Sequence, residues 1–328
     1  MSDVVQSPAS PSSLPDSRAK TPKAIRLYLG VLLGIAAALV ALPFAVYPIF
    51  LMKVLCFALF ALAFNLLLGF GGLLSFGHAA FFGGAAYVSA HAAKVWGLNP
   101  EAAIACGALA SMGLGVIIGW LAIRRQGIYF AMITLALAQL VYFACLQAKF
   151  TGGEDGVQGV PRGHLFGLFN LADDRVLYAM VAAIFMAGLL AILRVIHSPF
   201  GQALKAIREN EARATSLGFR VERYKLAVFI LSATLAGTAG ATKAVVFQLA
   251  SLTDVHWATS GAVILMTLVG GMGTLFGPIV GAFVVVGMES YLAPFGAWLT
   301  IVEGLIFVTC VILFPNGFVG ALAKKTAR

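Results

Sequence analysis

The chain has 328 residues, of which 61% are hydrophobic and only 11% charged. Ordinary soluble domains carry about 25% charged residues, so a water-soluble core is excluded as the home for this much apolar surface. The formal charge of +9 does not mark a nucleic-acid surface, because the basic residues fall between apolar segments and form no stripe on a soluble face.

Residues 1–26 are polar, rich in Pro and Ser, and carry Arg18, Lys20, Lys23 and Arg26. They read as a disordered basic tail with no cleavable signal peptide apparent. An apolar run over 27–47 is long enough for a first membrane span, which needs roughly 20 residues. Residues 54–93 hold no Lys, Arg, Asp or Glu and are too long for one crossing. The chain must therefore break and return, and the helix-weakening cluster Gly69, Gly71, Gly72, Ser75 and Gly77 marks the place. Further spans are predicted at 102–123, 126–148, 176–193 and 226–250. The run 255–288 is again too long and divides at Gly270, Gly271 and Gly273, and a final span covers 298–314. The fold predicted is an all-α, polytopic transmembrane helical bundle of about ten spans with glycine-rich broken helices. A break inside a membrane is tolerated only where protein or a water-filled cavity covers its backbone, so the two breaks are candidate parts of a transport path.

Basic residues set the expected orientation. With both termini cytoplasmic, the N-tail, Arg124-Arg125, the loop 194–225 and the C-tail 315–328 lie inside and hold 16 of the 22 Lys and Arg residues. The outside loop 149–175 carries Glu154, Asp155, Asp173 and Asp174. Small residues recur every fourth position at Ala233, Gly237, Ala241 and at Gly273, Gly277, Gly281, spacing that lets helix backbones approach closely. The four cysteines, Cys56, Cys106, Cys145 and Cys310, lie far apart in apolar runs and read as packing residues with no metal-ligand spacing.

In the inside loop, Ser198-Pro199 reads as an N-cap with proline in the first turn, and Gly218 sits where a helix stops. Leu204, Ile207, Ala214 and Leu217 recur at helical spacing between them, which predicts one short amphipathic helix. Its mixed charge leaves two readings open: a solvated loop, or a docking helix for a cytoplasmic partner. Near the first break, Asn65, Ser75 and His78 could offer hydrogen bonds to a polar solute, with helix–helix bonding or a structural histidine as the alternatives. Lys243, Glu289 and Glu303 lie in or beside apolar segments, where ionisable groups default to functional hypotheses, although Lys243 could also snorkel outwards. Residues 151–156 read as a contact for a partner outside the membrane or as an ordinary Gly-rich turn.

Several blocks resemble the LivM-type permeases of branched-chain amino acid ABC importers, in the family's order. They are NLLLGFGGLLSFGHAAFFGGAAYVSA at 65–90, GIYFAMITLALAQL at 127–140, TGGEDGVQGVP at 151–161, SPFGQALKAIRENEARATSLGFRVERYKLAVFILSATLAGTAGA at 198–241, GGMGTLFGPIVGA at 270–282 and LFPNGFVG at 313–320. The resemblance implies a permease subunit in the bacterial inner membrane, with a second, LivH-like permease, two cytoplasmic ATPase subunits and a periplasmic substrate-binding protein as partners. It implies no cofactor in this chain, ATP being bound by the partner subunits. It makes the inside loop a coupling helix, with Arg208, Glu209, Asn210, Glu211 and Gly218 as ATPase-coupling positions. One departure stands: Gly218 comes seven residues after Glu211 where the general permease motif has six, and no proline follows Tyr224-Lys225-Leu226. The translocation path would run past Asn65, Gly71, Gly72, Ser75 and His78. The default substrates of the family are leucine, isoleucine and valine, with urea, other amino acids and aromatic acids as alternatives. No GxxxxGK[ST] phosphate loop is present, nor any HExxH or GxSxG, and paired midplane acids for a proton-coupled carrier are scarce.

Overall fold

The structure, a computed structural model, describes residues 30, 34–44, 46–167, 169–292, 301–302, 304–305 and 308–309. The tails predicted at 1–26 and 315–328, most of the span predicted at 298–314 with Glu303 and Cys310, and part of that at 27–47 lie outside the described residues. The chain divides into two units, residues 1–45 and 46–328. In the first, a helical stretch at 34–41 tightens into a 3-10 turn at Leu42–Phe44. All that follows concerns the second unit.

Its helices are α1 (Pro48–Asn65), α2 (His78–Lys94), α3 (Pro100–Ala122), α4 (Ile128–Gln147), α5 (Asp174–His197), α6 (Pro199–Glu209), α7 (Glu211–Ser216), α8 (Val221–Phe247), α9 (Leu252–Val255), α10 (Trp257–Gly270) and α11 (Gly277–Leu292). Five stretches are long and apolar enough to cross a membrane: α1 with its continuation to Phe70, α3, α4, α5 and α8. At 17, 14 and 16 residues, α2, α10 and α11 are shorter. The described residues therefore do not reach the predicted count of about ten, and its first and last spans fall wholly or partly outside them.

From Val54 to Phe64, helix α1 is apolar and buried on every side, as a central post must be. It packs against α5, α8, α10 and α11. The row Ala233, Gly237, Ala241 on α8 meets a second row on α3. A Cβ built on Gly115, Gly237 or Gly107 would stand 2.7, 2.2 or 2.8 Å from Ala233 Cβ, Ser111 Cβ or Ala241 Cβ respectively. The seam is small-on-small at every turn, and Ser111 Oγ crosses it to donate to the Ala233 carbonyl at 2.7 Å. In lipid, where burial of apolar surface gives helices little reason to associate, such close packing and interhelical hydrogen bonding hold the bundle. Gly281 likewise lets α11 lie on the Met266 carbonyl of α10, closing a tight α10–α11 hairpin.

At the end of the bundle where α8 finishes, residues 148–173 form a folded cover. Two-residue strands β1 (Val157–Gln158) and β4 (Leu249–Ala250) pair antiparallel, and β2 (His164–Leu165) pairs with β3 (Phe169–Asn170). The cover is tied down by Lys94 Nζ to the Gln158 carbonyl (2.7 Å), Arg162 Nη2 to the Val246 carbonyl (2.9 Å) and Gln248 Nε2 to the Val160 carbonyl (3.1 Å). Within residues 151–156, Thr151 is buried and donates to the Ala148 carbonyl at 2.6 Å, while Glu154 and Asp155 are exposed.

Candidate functional site

The opposite end of the bundle carries α6 and α7. Ser198 caps α6, accepting from Gly201 N at 3.3 Å, with Pro199 in the first turn. One continuous helix to Gly218 was predicted, and the structure corrects this. The chain breaks at Asn210 (φ −156°, ψ 100°), whose side chain accepts from Arg213 N at 2.9 Å and starts α7. An asparagine side chain offers the backbone an alternative to the helix, which is why it terminates one helix and caps the next. The break also rotates the apolar row. Leu204, Ile207 and Ala214 are buried, but Leu217, predicted on the same stripe, is 72% exposed. Gly218 follows at φ +85°, a left-handed conformation that glycine adopts without strain and that turns the chain into α8.

The loop is fastened to the membrane helices at two points. At the first, Arg208 Nη1 donates to the Gly69 carbonyl. At the second, Glu211 accepts from Gln126 Nε2 at 2.9 Å and pairs with Lys225 Nζ at 2.7 Å, joining α7 to the α3–α4 turn and to α8. Glu209, Asn210, Arg213, Leu217 and Gly218 remain exposed on the other side.

Gly69 lies in the first break. After Asn65 the helix widens into a π-turn, Leu66–Phe70, and residues 71–77 run without helix to His78. Gly72 turns the chain at φ +70°. The predicted path residues do different things here. Asn65, 2% exposed, reaches the second break: its Nδ2 donates to the Thr274 carbonyl at 2.8 Å, and its Oδ1 accepts from Gly273 N at 2.9 Å. Gly71 packs on Val228 of α8, where a Cβ would stand 3.4 Å from Val228 Cγ1. Ser75 is buried and accepts from Gly77 N at 3.2 Å.

His78 is buried at the start of α2, edge-on to Phe64, Phe81 and Phe229. Its Nε2 lies 2.9 Å from Ser232 Oγ, and that hydroxyl donates its only proton to the Ala63 carbonyl at 2.5 Å. Nε2 must therefore be the donor of the pair. Nδ1 has no hydrogen-bond partner among the described residues. Beside it, Ala79 N donates to Ser260 Oγ at 2.9 Å, so α10 caps α2 across space. Leu73, Leu74, Phe76, Phe130, Leu135 and neighbours line an apolar cavity of about 520 Å³ next to the first break.

Two ion pairs involve Lys243 and Glu289. Lys243 of α8 does not snorkel outwards; it pairs with Asp254 of α9, a residue the sequence reading passed over, and its side chain is 16% exposed. Glu289 pairs with Lys53 at 3.3 Å. Among the described residues no group of three or more His, Cys, Asp or Glu is placed to hold a metal ion. Cys56 and Cys145 are buried and, with Cys106, are free thiols.

Residues 46–314 match the family described as branched-chain amino acid transport system, permease component. The chain is 29% identical over 245 residues to the high-affinity branched-chain amino acid transport system permease protein LivM of Escherichia coli K12, covering 68% of this chain and 58% of that protein. It is 28% identical over 176 residues to a probable branched-chain amino acid transport permease protein LivH of Methanocaldococcus jannaschii, covering 50% and 53%. It is 27% identical over 238 residues to the autoinducer 2 import system permease protein LsrC of Salmonella typhimurium, covering 69% and 65%. The chain thus spans less than two thirds of the length of each of these relatives. No solved structure matches it.

Proposed function

The chain belongs to the branched-chain amino acid permease family, and on that premise we propose that it forms one half of the membrane pathway of an ABC importer. It is a helical, multi-pass membrane protein. A second, LivH-like permease supplies the other half, two ATPase subunits bind and hydrolyse the ATP, and a periplasmic binding protein delivers the solute. In this reading the membrane is the bacterial inner membrane. The end with α6 and α7 and both termini face the cytoplasm, while the cover at 148–173 faces the binding protein.

The observation that carries the reading is the two-sided loop. One side is bound through Arg208 and Glu211 to the ends of membrane helices. The other presents an exposed apolar side chain, Leu217 at 72%, in a loop whose Glu209, Arg213 and Gly218 are exposed as well. That is the form of a surface that inserts into a partner's cleft. Glu209, Asn210 and Gly218 are the loop's candidate ATPase contacts, while Arg208 and Glu211 hold it from behind. Branched-chain amino acids are the proposed substrates. The relative named for autoinducer 2 import keeps open a second reading, the same machinery moving another small solute. A proton-coupled carrier is disfavoured because Asp254 and Glu289 are each paired with a lysine.

The test is reconstitution of the chain with its second permease, ATPase pair and binding protein in proteoliposomes, measuring uptake of labelled leucine, isoleucine and valine. Accumulation should require ATP and stop when the ATPase carries a dead active site. Uptake that survives that lesion would refute an ATP-driven importer.

A further inference from the structure

Helix α6 meets the first break with a single face. Lys205 Nζ stands 5.9 Å from the centroid of the Phe70 ring, and one turn later Arg208 Nη1 donates to the Gly69 carbonyl. The end of a helix leaves carbonyls without intrahelical partners. Here the donors that follow go to the carbonyls of Leu66, Leu67 and Leu68, from Gly71 N, Leu73 N and Gly72 N. Arg208 takes Gly69, and a cation is favoured at that end of the helix dipole.

The same turn is bound on its other side to the α10–α11 turn by the two Asn65 hydrogen bonds. The fit leaves no slack. A Cβ on Gly69 would stand 2.3 Å from Asn65 Oδ1 and 2.7 Å from Gly273 N. One on Gly72 would stand 3.0 Å from Arg208 Cγ, and one on Gly273 3.6 Å from Arg208 Nη1. Three segments, centred on residues 69, 208 and 273, therefore meet in one junction whose contacts are a guanidinium, an amide and backbone.

We propose that Arg208 is a positioning residue that carries movement of the loop into both glycine turns as one body, and that Asn65 locks the two turns together. The turns then form the part of the pathway that changes with the state of the ATPase. This rests on the coupling role proposed above, but it gives Arg208 a different partner: its own membrane domain, not the ATPase. The guanidinium suits the task because its rigid planar fork fixes the direction in which Nη1 meets the Gly69 carbonyl, which a freely rotating ammonium does not.

The experiment uses the complete reconstituted complex and reads solute uptake, ATP hydrolysis and ATPase subunits retained on purification. Arg208→Gln should keep the ATPase subunits bound while the ATP hydrolysed per solute moved rises about tenfold. Arg208→Lys should fall between, within about threefold of the unsubstituted complex. Asn65→Ala should raise the same ratio, and the double variant should be no worse than the poorer single one, as residues acting through one junction are not additive. Loss of ATPase subunits from Arg208→Gln in proportion to lost uptake would make Arg208 an ATPase contact and overturn the proposal, leaving the importer reading intact. An unchanged ratio, or effects of the two substitutions that multiply, would also overturn it. Absence of ATP-driven uptake in the unsubstituted complex would overturn the importer reading and this proposal together. Should Arg208→Gln fail to reach the membrane, Arg208→Lys and Asn65→Ala decide by the same ratio.

Discussion

Replacing Lys243 by methionine should destabilise the protein far more than removing both members of its ion pair. The lysine and Asp254 side chains are 16% and 7% exposed, and the ammonium also lies 5.9 Å from the centroid of the Phe82 ring. Methionine keeps the length of the side chain but leaves the carboxylate with only Ser251 Oγ, 3.4 Å away, as a side-chain donor. An uncompensated buried charge of this kind costs about 3–5 kcal/mol. Scaled to a chain of this size, at about 1.5 °C per kcal/mol, that corresponds to a drop of about 4–7 °C in Tm. Lys243→Met with Asp254→Asn removes both charges, and its cost should shrink to about 1–2 kcal/mol, the scale of imperfect hydrogen bonding by the new amide. The assay is thermal unfolding of the detergent-solubilised protein, followed by size exclusion after heating at one fixed rate, because such melts are scan-rate dependent. A single variant melting within about 2 °C of the unsubstituted protein, or a double variant no better than the single, would refute the reasoning.

Two further outcomes follow from the packing and from the loop. Gly237→Val should cost about 1–3 kcal/mol by forcing α8 off Ser111, whereas Gly261→Ala, with open space where its Cβ would stand, should leave the melt unchanged in the same assay. Leu217→Asp should leave the melt unchanged but weaken capture of the ATPase subunits about tenfold, as loss of an apolar anchor at an interface does. Equal capture would remove Leu217 from the interface.

Much of the architecture was legible because the membrane punishes charge and backbone exposure in one dimension along the chain. The charge-free run at 54–93, split by glycines 69–77, became α1, the π-turn and α2. The row Ala233, Gly237, Ala241 announced a close seam, though not that α3 would answer it with Gly115, Ser111 and Gly107. Ser198, Pro199 and Gly218 marked where the loop's helical segment begins and ends. What stayed hidden depends on partners remote in sequence. Asn65 could be suspected, but nothing local says that it reaches Gly273 and Thr274. Ser232 and Ser260 lie in apolar helices without any motif, and only the fold brings them to His78 and Ala79. Asp254 escaped notice because it falls between two predicted spans, where an acid needs no explanation until Lys243 is found beside it. The break at Asn210 was obscured by good helix formers on both sides, and it displaced Leu217 from the predicted apolar stripe.

Three of the side chains that hold the cover over the far end, Lys94, Arg162 and Gln248, each donate to a main-chain oxygen. Main-chain oxygens are present whatever residue carries them. The exposed acceptor position Gln158 can therefore exchange its side chain over generations without loosening the cover, whereas Val160 and Val246 also fill the core and are constrained by it. A surface built this way can drift in sequence to suit a changing partner while its scaffold stays put.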